Sequence, residues 1–312
     1  IELNEGTVLR MKRPYRLAPD KCEILNKLVD EVIAKEWVEP VFGTAPWASP
    51  AFPVPKKNSK WRLVCDFREL NEATVPDVFP LPLIDQLVEK FGGCMVWSVL
   101  DLRHGFFQVP MKPSDVIKTA FVTPNGVFAW RVMAMGLRNA PTRFQRIMVY
   151  ILRDISSADP YMDDVIIGSN GSTIGEAISN HLQDVRQVLD KFRSERLFVE
   201  PEKCALFRTR VTFCGHELAA GQRRASPDKL APLRNWPVPK NVRAVRGFLG
   251  FAGYYAPYVR DYAKLAAPLS DLLRKSCVWN WTSEHHVAFD KLRESLLANA
   301  PLMIIRPTEP FF

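Results

Sequence analysis

Tyr161-Met162-Asp163-Asp164 places two adjacent carboxylates just before the apolar run Val165-Ile166-Ile167 and Gly168. A third carboxylate, Asp101, ends another apolar run, Val96-Trp97-Ser98-Val99-Leu100. Both runs are predicted to be short buried strands bounded by breakers. Neighbouring strands of this kind would bring the three carboxylates together. Clustered like charges are unfavourable unless a cation neutralises them, so the set suits Mg²⁺, with Mn²⁺ as a substitute. Two such ions flanking a phosphate stabilise the attacking and leaving oxygens of an in-line displacement. That is nucleotidyl-transfer or nuclease chemistry. An Asp-Asp pair is also common in solvated turns, so the surrounding residues must decide.

The elements that would position these groups are legible from periodicity. A helix is expected from about Lys21 to Trp37, with Leu25, Leu28, Val29, Val32 and Ile33 on one face and Pro19-Asp20 at its entry. Between Pro40 and Pro55, five prolines alternate with apolar residues, which excludes a helix and predicts extended edge strands. Lys56-Lys57-Asn58-Ser59-Lys60 reads as a basic hairpin tip. A short amphipathic helix from Pro82 to Phe91 uses Leu83, Leu87, Val88 and Phe91 and stops at Gly92-Gly93. Pro141 to Arg153 is predicted helical, with Phe144, Ile147, Met148 and Ile151 on its apolar face. Ile178 to Phe192 repeats apolar residues at three-to-four spacing around His181, which reads as an interfacial histidine. After Leu218 the chain turns helical and rich in arginine and aromatics. There Arg243, Arg246, Tyr254, Tyr255, Tyr258 and Arg260 could contact phosphates and sugars, or the tyrosines could form the core of a small bundle.

Composition sets the outer bounds. A chain of 312 residues can bury a substantial core and is expected to divide into lobes. No apolar run approaches the roughly 18 residues of a membrane span, so no membrane partner is expected. The net charge of +8 favours a polyanionic partner. Six cysteines without a CxxC framework suggest reduced thiols in an intracellular setting. Cys214 and His216 are too few to form a zinc site. With Ile1 at one end and Phe311-Phe312 at the other, the chain reads as a segment of something longer.

Three further stretches flank the carboxylates, Trp61 to Asn71, Leu100 to Val109 and Met135 to Gln145. In order and spacing they resemble the successive motifs of reverse transcriptases. Phe213-Cys214-Gly215-His216 resembles the primer grip that follows. With Trp236-Pro237-Val238-Pro239-Lys240 and Phe248-Leu249-Gly250-Phe251-Ala252-Gly253-Tyr254-Tyr255, the pattern is similar to that of Gypsy-type LTR retrotransposon polymerases, and it extends from Tyr15-Arg16-Leu17 to the C-terminus.

The resemblance implies an α+β right-hand polymerase with an antiparallel palm sheet packed on helices. Its parts would be fingers at 1–76 and 109–139, palm at 77–108 and 140–220, thumb at 221–275, and the start of a connection segment at 276–312. It implies RNA-directed DNA polymerase activity with Mg²⁺ held by Asp101, Asp163 and Asp164. Lys56, or Lys57 if the loop length differs, and Arg62 would bind the incoming triphosphate. Phe106 would pack under the sugar and select deoxyribonucleotides, and Met135 and Met162 would contact the nucleotide. Tyr161 and the Phe213, Cys214, Gly215 and His216 turn would contact the primer and template. The implied partners are an RNA template, a DNA primer and product, dNTPs, and neighbouring protease, RNase H and integrase domains of a Pol polyprotein. The implied location is cytoplasmic or particle-associated. One departure bears on activity. Ser156-Ser157-Ala158-Asp159-Pro160 stands where the family has an apolar strand, and proline, lacking a donor, is expected to shorten or displace that strand. This keeps open a second reading, an RT-like domain that binds nucleic acid without catalysis.

Overall fold

The structure is a computed structural model that describes residues 1–56, 60–219, 221–275, 277–298 and 300–303. In chain order the strands are β1 Val38–Pro40, β2 Ser49–Pro55, β3 Trp61–Cys65, β4 Val96–Asp101, β5 Phe121–Thr123, β6 Gly126–Trp130, β7 Ala158–Tyr161, β8 Asp164–Ser169, β9 Ala205–Arg208, β10 Arg210–Phe213, β11 His216–Ala219, β12 Gln222–Ala225 and β13 Leu302–Met303. The helices are α1 Pro19–Ala34, α2 Arg68–Ala73, α3 Ile84–Gly92, α4 Pro113–Val116, α5 Ala140–Leu152, α6 Ile174–Ser194, α7 Pro227–Leu230, α8 Val242–Tyr254, α9 Tyr262–Asp271 and α10 Ser283–Ala298. They accompany three sheets, ordered β1-β6-β5-β2-β3, β7-β8-β4-β9 and β10-β11-β12-β13. The registered pairings are antiparallel except β2 with β5. This is the α+β class expected from the sequence. No described helix is long and apolar enough to cross a membrane.

The chain divides into two compact units. The first comprises Ile1–Leu81, Leu100–Val165 and Gln187–Cys204, and the second takes Pro82–Val99, Ile166–Arg186 and the chain from Ala205 onward. In the first unit α1 buries Leu25, Val29 and Val32, three of the residues its periodicity marked. The proline-rich segment departs from expectation, because β2 lies inside its sheet, between β5 and β3. The N–H of Ser49 reaches the carbonyl of Ala120, so the odd-numbered residues of β2 direct their backbone donors towards β5. Pairing with β5 ends at Pro50. Pro53 and Pro55 therefore lack a donor on the side where no ladder is made.

In the second unit α3 buries Leu87, Val88 and Phe91, but Leu83 is the residue before its first turn and is exposed. The buried stripe of α6 is Ala177, His181, Val185, Val188 and Phe192, while Ile178, Leu182 and Leu189 are exposed. The face expected around His181 is thus buried at His181, Val185 and Phe192 but leaves Ile178, Leu182 and Leu189 outside, with Ala177 and Val188 taking the core positions beside it. Both ring nitrogens of His181 are engaged. Nε2 lies 2.7 Å from Ser98 Oγ and Nδ1 lies 2.7 Å from Ser169 Oγ. Ser169 in turn donates to Asp184, and the Phe207 N–H donates to Ser98. Every member of this buried network has a partner, which is the condition for burying a polar group at low cost. In the helical region Tyr255 and Tyr258 join Phe248, Leu269 and Phe289 in one apolar cluster. Those two tyrosines are core, whereas Arg243, Arg246 and Arg260 are exposed.

Candidate active site

Asp101 is the last residue of β4, a strand buried along all but this end. Asp164 is the first residue of the neighbouring β8, and Asp163 occupies the turn before it. One backbone bond ties the two ends together, with the Leu102 N–H donating to the carbonyl of Asp163 at 3.0 Å. A second bond fixes the far side, where the Glu200 N–H donates to the Asp101 carbonyl at 2.8 Å. The sequence places the three carboxylates at strand ends, and the fold makes those ends neighbours.

Pro160 does not displace the hairpin. It lies within β7, the outermost strand of its sheet, where the missing donor costs little. The strand is short, as expected, but its backbone is used. Gln145, fully buried on α5, donates Nε2 to the Pro160 carbonyl at 2.8 Å, and its Oε1 accepts from the Met162 N–H at 2.6 Å. One amide thereby clamps the chain on either side of Tyr161, where β7 enters the turn. Met162 has φ of 56°, the left-handed region that non-glycine residues enter at a cost of about 1–3 kcal/mol unless held there. Gly105 packs against the same turn, and a Cβ at that position would stand 3.0 Å from the Cβ of Asp163.

A lysine contributes to the electrostatics of the site. Lys203 Nζ donates to Asp101 Oδ1 at 3.1 Å, and this bond, helped by the charges of Glu200 and Asp163, holds its ammonium pKa above the ordinary value. Among the described residues, no three Asp, Glu, His or Cys side chains stand close enough to enclose an ion as they are placed. The donors nevertheless fit a hard divalent cation, being oxygen-only carboxylates on adjoining strand ends, one of them already facing a positive charge.

The remaining expected residues are placed as follows. Lys56 and Arg62 are exposed on the β2–β3 hairpin, where Val54 pairs with Arg62 and the Lys56 N–H closes on the Lys60 carbonyl. Lys57 lies outside the described residues. Burial lowers the pKa of His104, three residues after Asp101, and the charges of Lys35, Arg103 and, least, Lys56 add to it. Phe106 is half-buried, its ring edge-on to Phe144 at 5.2 Å between centroids. Met135 is half exposed, while Tyr161 and Met162 are partly buried.

In the second unit the Phe213 to His216 segment is a two-residue hairpin in which Phe213 pairs with His216. Cys214 and Gly215 have φ of 47° and 81°, the pattern of a type I′ turn. The side chains of Phe213 and His216 are buried at 1% and 4% exposure. Both side chains hold the turn from inside, while Cys214 and Gly215 are partly exposed at the tip of the hairpin.

Sequence reasoning missed Lys203, Gln145 and Gly105. Gln145 carried a signal, being a polar residue on the otherwise apolar face of α5. It also missed a cleft of ≈ 1200 Å³ in the first unit, whose lining includes Lys112, Arg138, Arg143 and Arg146. Arg146 and Arg143 pair there with Asp77.

Comparison with known proteins agrees with this geometry. Solved foamy viral protease-reverse transcriptases share the fold. One in complex with dsDNA has a TM-score of 0.85 and 22% identity over 96% of this chain and 52% of that one. Another, in complex with an RNA/DNA hybrid, has a TM-score of 0.81 and 22% identity over 96% of this chain and 40% of that one. In sequence, the Retrovirus-related Pol polyprotein from transposon 297 of Drosophila melanogaster is 33% identical over 276 residues, which is 86% of this chain and 25% of the relative. The Transposon Tf2-3 polyprotein of Schizosaccharomyces pombe is 29% identical over 300 residues, 96% of this chain and 22% of the relative. The chain thus spans about a quarter of the length of these longer polyproteins. The family described as Reverse transcriptase (RNA-dependent DNA polymerase) matches residues 54–218, more than half of the chain, and the chain belongs to that family.

Proposed function

We propose that this chain is an RNA-directed DNA polymerase that extends a DNA primer by nucleotidyl transfer on an RNA or DNA template. The observation that supports the reading is the pair of adjacent strand ends joined from Leu102 to Asp163, with Asp101 at the end of β4 and Asp163 and Asp164 at the start of β8. Asp101, Asp163 and Asp164 would hold Mg²⁺. Bound there, divalent cations lower the proton affinity of a primer 3′-oxygen and stabilise the pyrophosphate leaving group. The protein supplies no nucleophile of its own; its part is to place the reactants.

Lys56 and Arg62 neutralise the triphosphate, and Phe106, braced by Phe144, stands under the sugar and excludes a 2′-hydroxyl. Met135 and Met162 contact the nucleotide, Tyr161 borders the template-primer, and the Cys214-Gly215 turn bears on the primer end. The basic cleft with Arg138, Arg143 and Arg146 suits phosphate contacts that position the template without reading its sequence. In this reading the fingers are 1–76 and 109–139, the palm 77–108 and 140–220, and the thumb 221–275, with a connection segment beginning at 276. The parent is a retrotransposon Pol polyprotein carrying protease, RNase H and integrase domains, working in the cytoplasm or in a particle. The lengths of the polyprotein relatives support a longer parent chain.

The test is dNTP incorporation by the purified chain on an annealed RNA template and DNA primer with Mg²⁺, beside Asp163→Asn. Extension should vanish in the variant while template binding and folding persist. Full activity in Asp163→Asn would remove that carboxylate from catalysis, and no extension by a folded, template-binding wild type would favour the binding-only reading.

A further inference from the structure

The hairpin at Cys214-Gly215 is held by hydrogen bonds that run in one direction. The Tyr254 hydroxyl donates to the Cys214 carbonyl at 2.6 Å. With its proton so engaged, the same oxygen accepts from His216 Nε2, 3.1 Å away. A neutral imidazole has one donor and one acceptor nitrogen, so Nδ1 is the acceptor and takes the hydroxyl proton of Tyr258 at 2.7 Å. The relay therefore runs from Tyr258 through His216 and Tyr254 to the carbonyl of a residue in the left-handed region. The accounting assigns the Nε2–H tautomer, since no other arrangement satisfies all three bonds. Gly215 completes the seat. A Cβ there would lie 3.2 Å from the Tyr255 hydroxyl, and the Gly215 carbonyl accepts from the Ser226 N–H at 2.8 Å.

We propose that Tyr254 and Tyr258, acting through His216, are positioning residues that fix the Cys214-Gly215 turn on which the primer end rests. The inference builds on the polymerase reading above. A hairpin turn alone is free to rock about its two strands, and the relay removes that freedom by tying the carbonyl at its tip to the last residue of α8 and to the 3₁₀ turn Ala256–Tyr258 that follows. The nearby helical segment is then more than a separate packed bundle, because its tyrosines set the conformation of the β10–β11 turn. The relay spends the hydroxyls on the turn, so Tyr254 and Tyr258 need not touch nucleic acid to affect primer use.

The variant Tyr254→Phe keeps the ring and removes both bonds of its hydroxyl. Because Tyr254 is 43% exposed, folding should survive. Tyr258→Phe removes only the donor to Nδ1, and Tyr255→Phe removes a buried hydroxyl outside the relay. Three readouts decide. Without nucleic acid, amide hydrogen exchange at Cys214 to His216 should quicken in Tyr254→Phe and Tyr258→Phe but not in Tyr255→Phe, with α8 unchanged. Affinity for an annealed primer-template should weaken relative to the single-stranded template. In extension assays kcat should fall about tenfold with the KM for dNTP unchanged, since a misplaced nucleophile loses rate rather than nucleotide binding. Unaltered exchange at the turn would overturn the relay. Faster exchange with unaltered primer affinity and kcat would overturn its role in placing the primer. A wild type that shows the exchange pattern yet never extends would remove the polymerase reading instead, and the primer role with it.

Discussion

The two tight turns of the proposed site are restrained in different ways. The Tyr161 to Asp164 turn puts a methionine at φ of 56° and is held by one buried amide, Gln145, that bonds to Pro160 and Met162 where β7 enters it. The Phe213 to His216 turn uses glycine at its second position and is held by a three-member relay ending on a half-exposed tyrosine. Both put a non-glycine residue, Met162 or Cys214, in the left-handed region. The first is clamped directly by one side chain, whereas the second sets Cys214 beside a glycine and is steadied through a chain of hydrogen bonds. A carboxylate proposed to bind a cation tolerates little displacement, which suits a direct clamp. A turn proposed to seat the primer end is fixed through the relay.

The comparison breaks most sharply at Gln145. Replacing it as Gln145→Leu strands the Pro160 carbonyl and the Met162 N–H, at roughly 1–3 kcal/mol each, and frees the turn that carries Asp163. Denaturant midpoints should fall, and kcat should drop on the order of 100-fold; a variant of normal stability and rate would show that the turn needs no clamp. A smaller, purely steric change is Gly105→Ala, whose methyl group would stand 3.0 Å from the Asp163 Cβ. About a tenfold loss of kcat is expected with little loss of nucleotide affinity, and an unchanged rate would mean that the turn has room to move.

Acid should weaken the second unit through its histidines. Burial holds the pKa of both His181 and His216 below the ordinary value. The unfolded chain therefore takes up protons first as pH falls, so stability is fully present above about pH 6.5 and is lost progressively below it. Urea midpoints at pH 7.5 and 5.5 should differ in that direction, and the difference should shrink in a His181→Gln variant that retains its fold. Equal midpoints would show that the buried networks accept protons without penalty. The smallest effect is expected at Lys203, which is mostly exposed. An exposed ion pair is worth about 0.2–1 kcal/mol, so Lys203→Gln should tighten Mn²⁺ binding, read by electron paramagnetic resonance, by less than about fivefold. Weaker binding would mean that the lysine supports the cation site and does not compete with it.

Much of the frame was readable from residue order. The buried strands before Asp101 and after Asp163 and the helix α5 all follow from local pattern. The reading went wrong where tertiary neighbours overrode that pattern. The proline-rich β2 is interior because pairing with β5 stops before the prolines matter. His181 lies on the buried face of α6 because Ser98 and Ser169 satisfy it, and hydropathy cannot register a partner 83 residues away. The burial of the Phe213 and His216 side chains follows from the register of β10 and β11, which no local pattern states.

The sequence by itself determined which residues are chemically capable, the three carboxylates and the cations Lys56 and Arg62, because residue type and strand periodicity are local properties. Only the tertiary structure decided what holds the carboxylates, the amide of Gln145 and the ammonium of Lys203, and what holds the Cys214 turn, the relay from Tyr258, because each is a contact between residues far apart in the chain that no local period encodes.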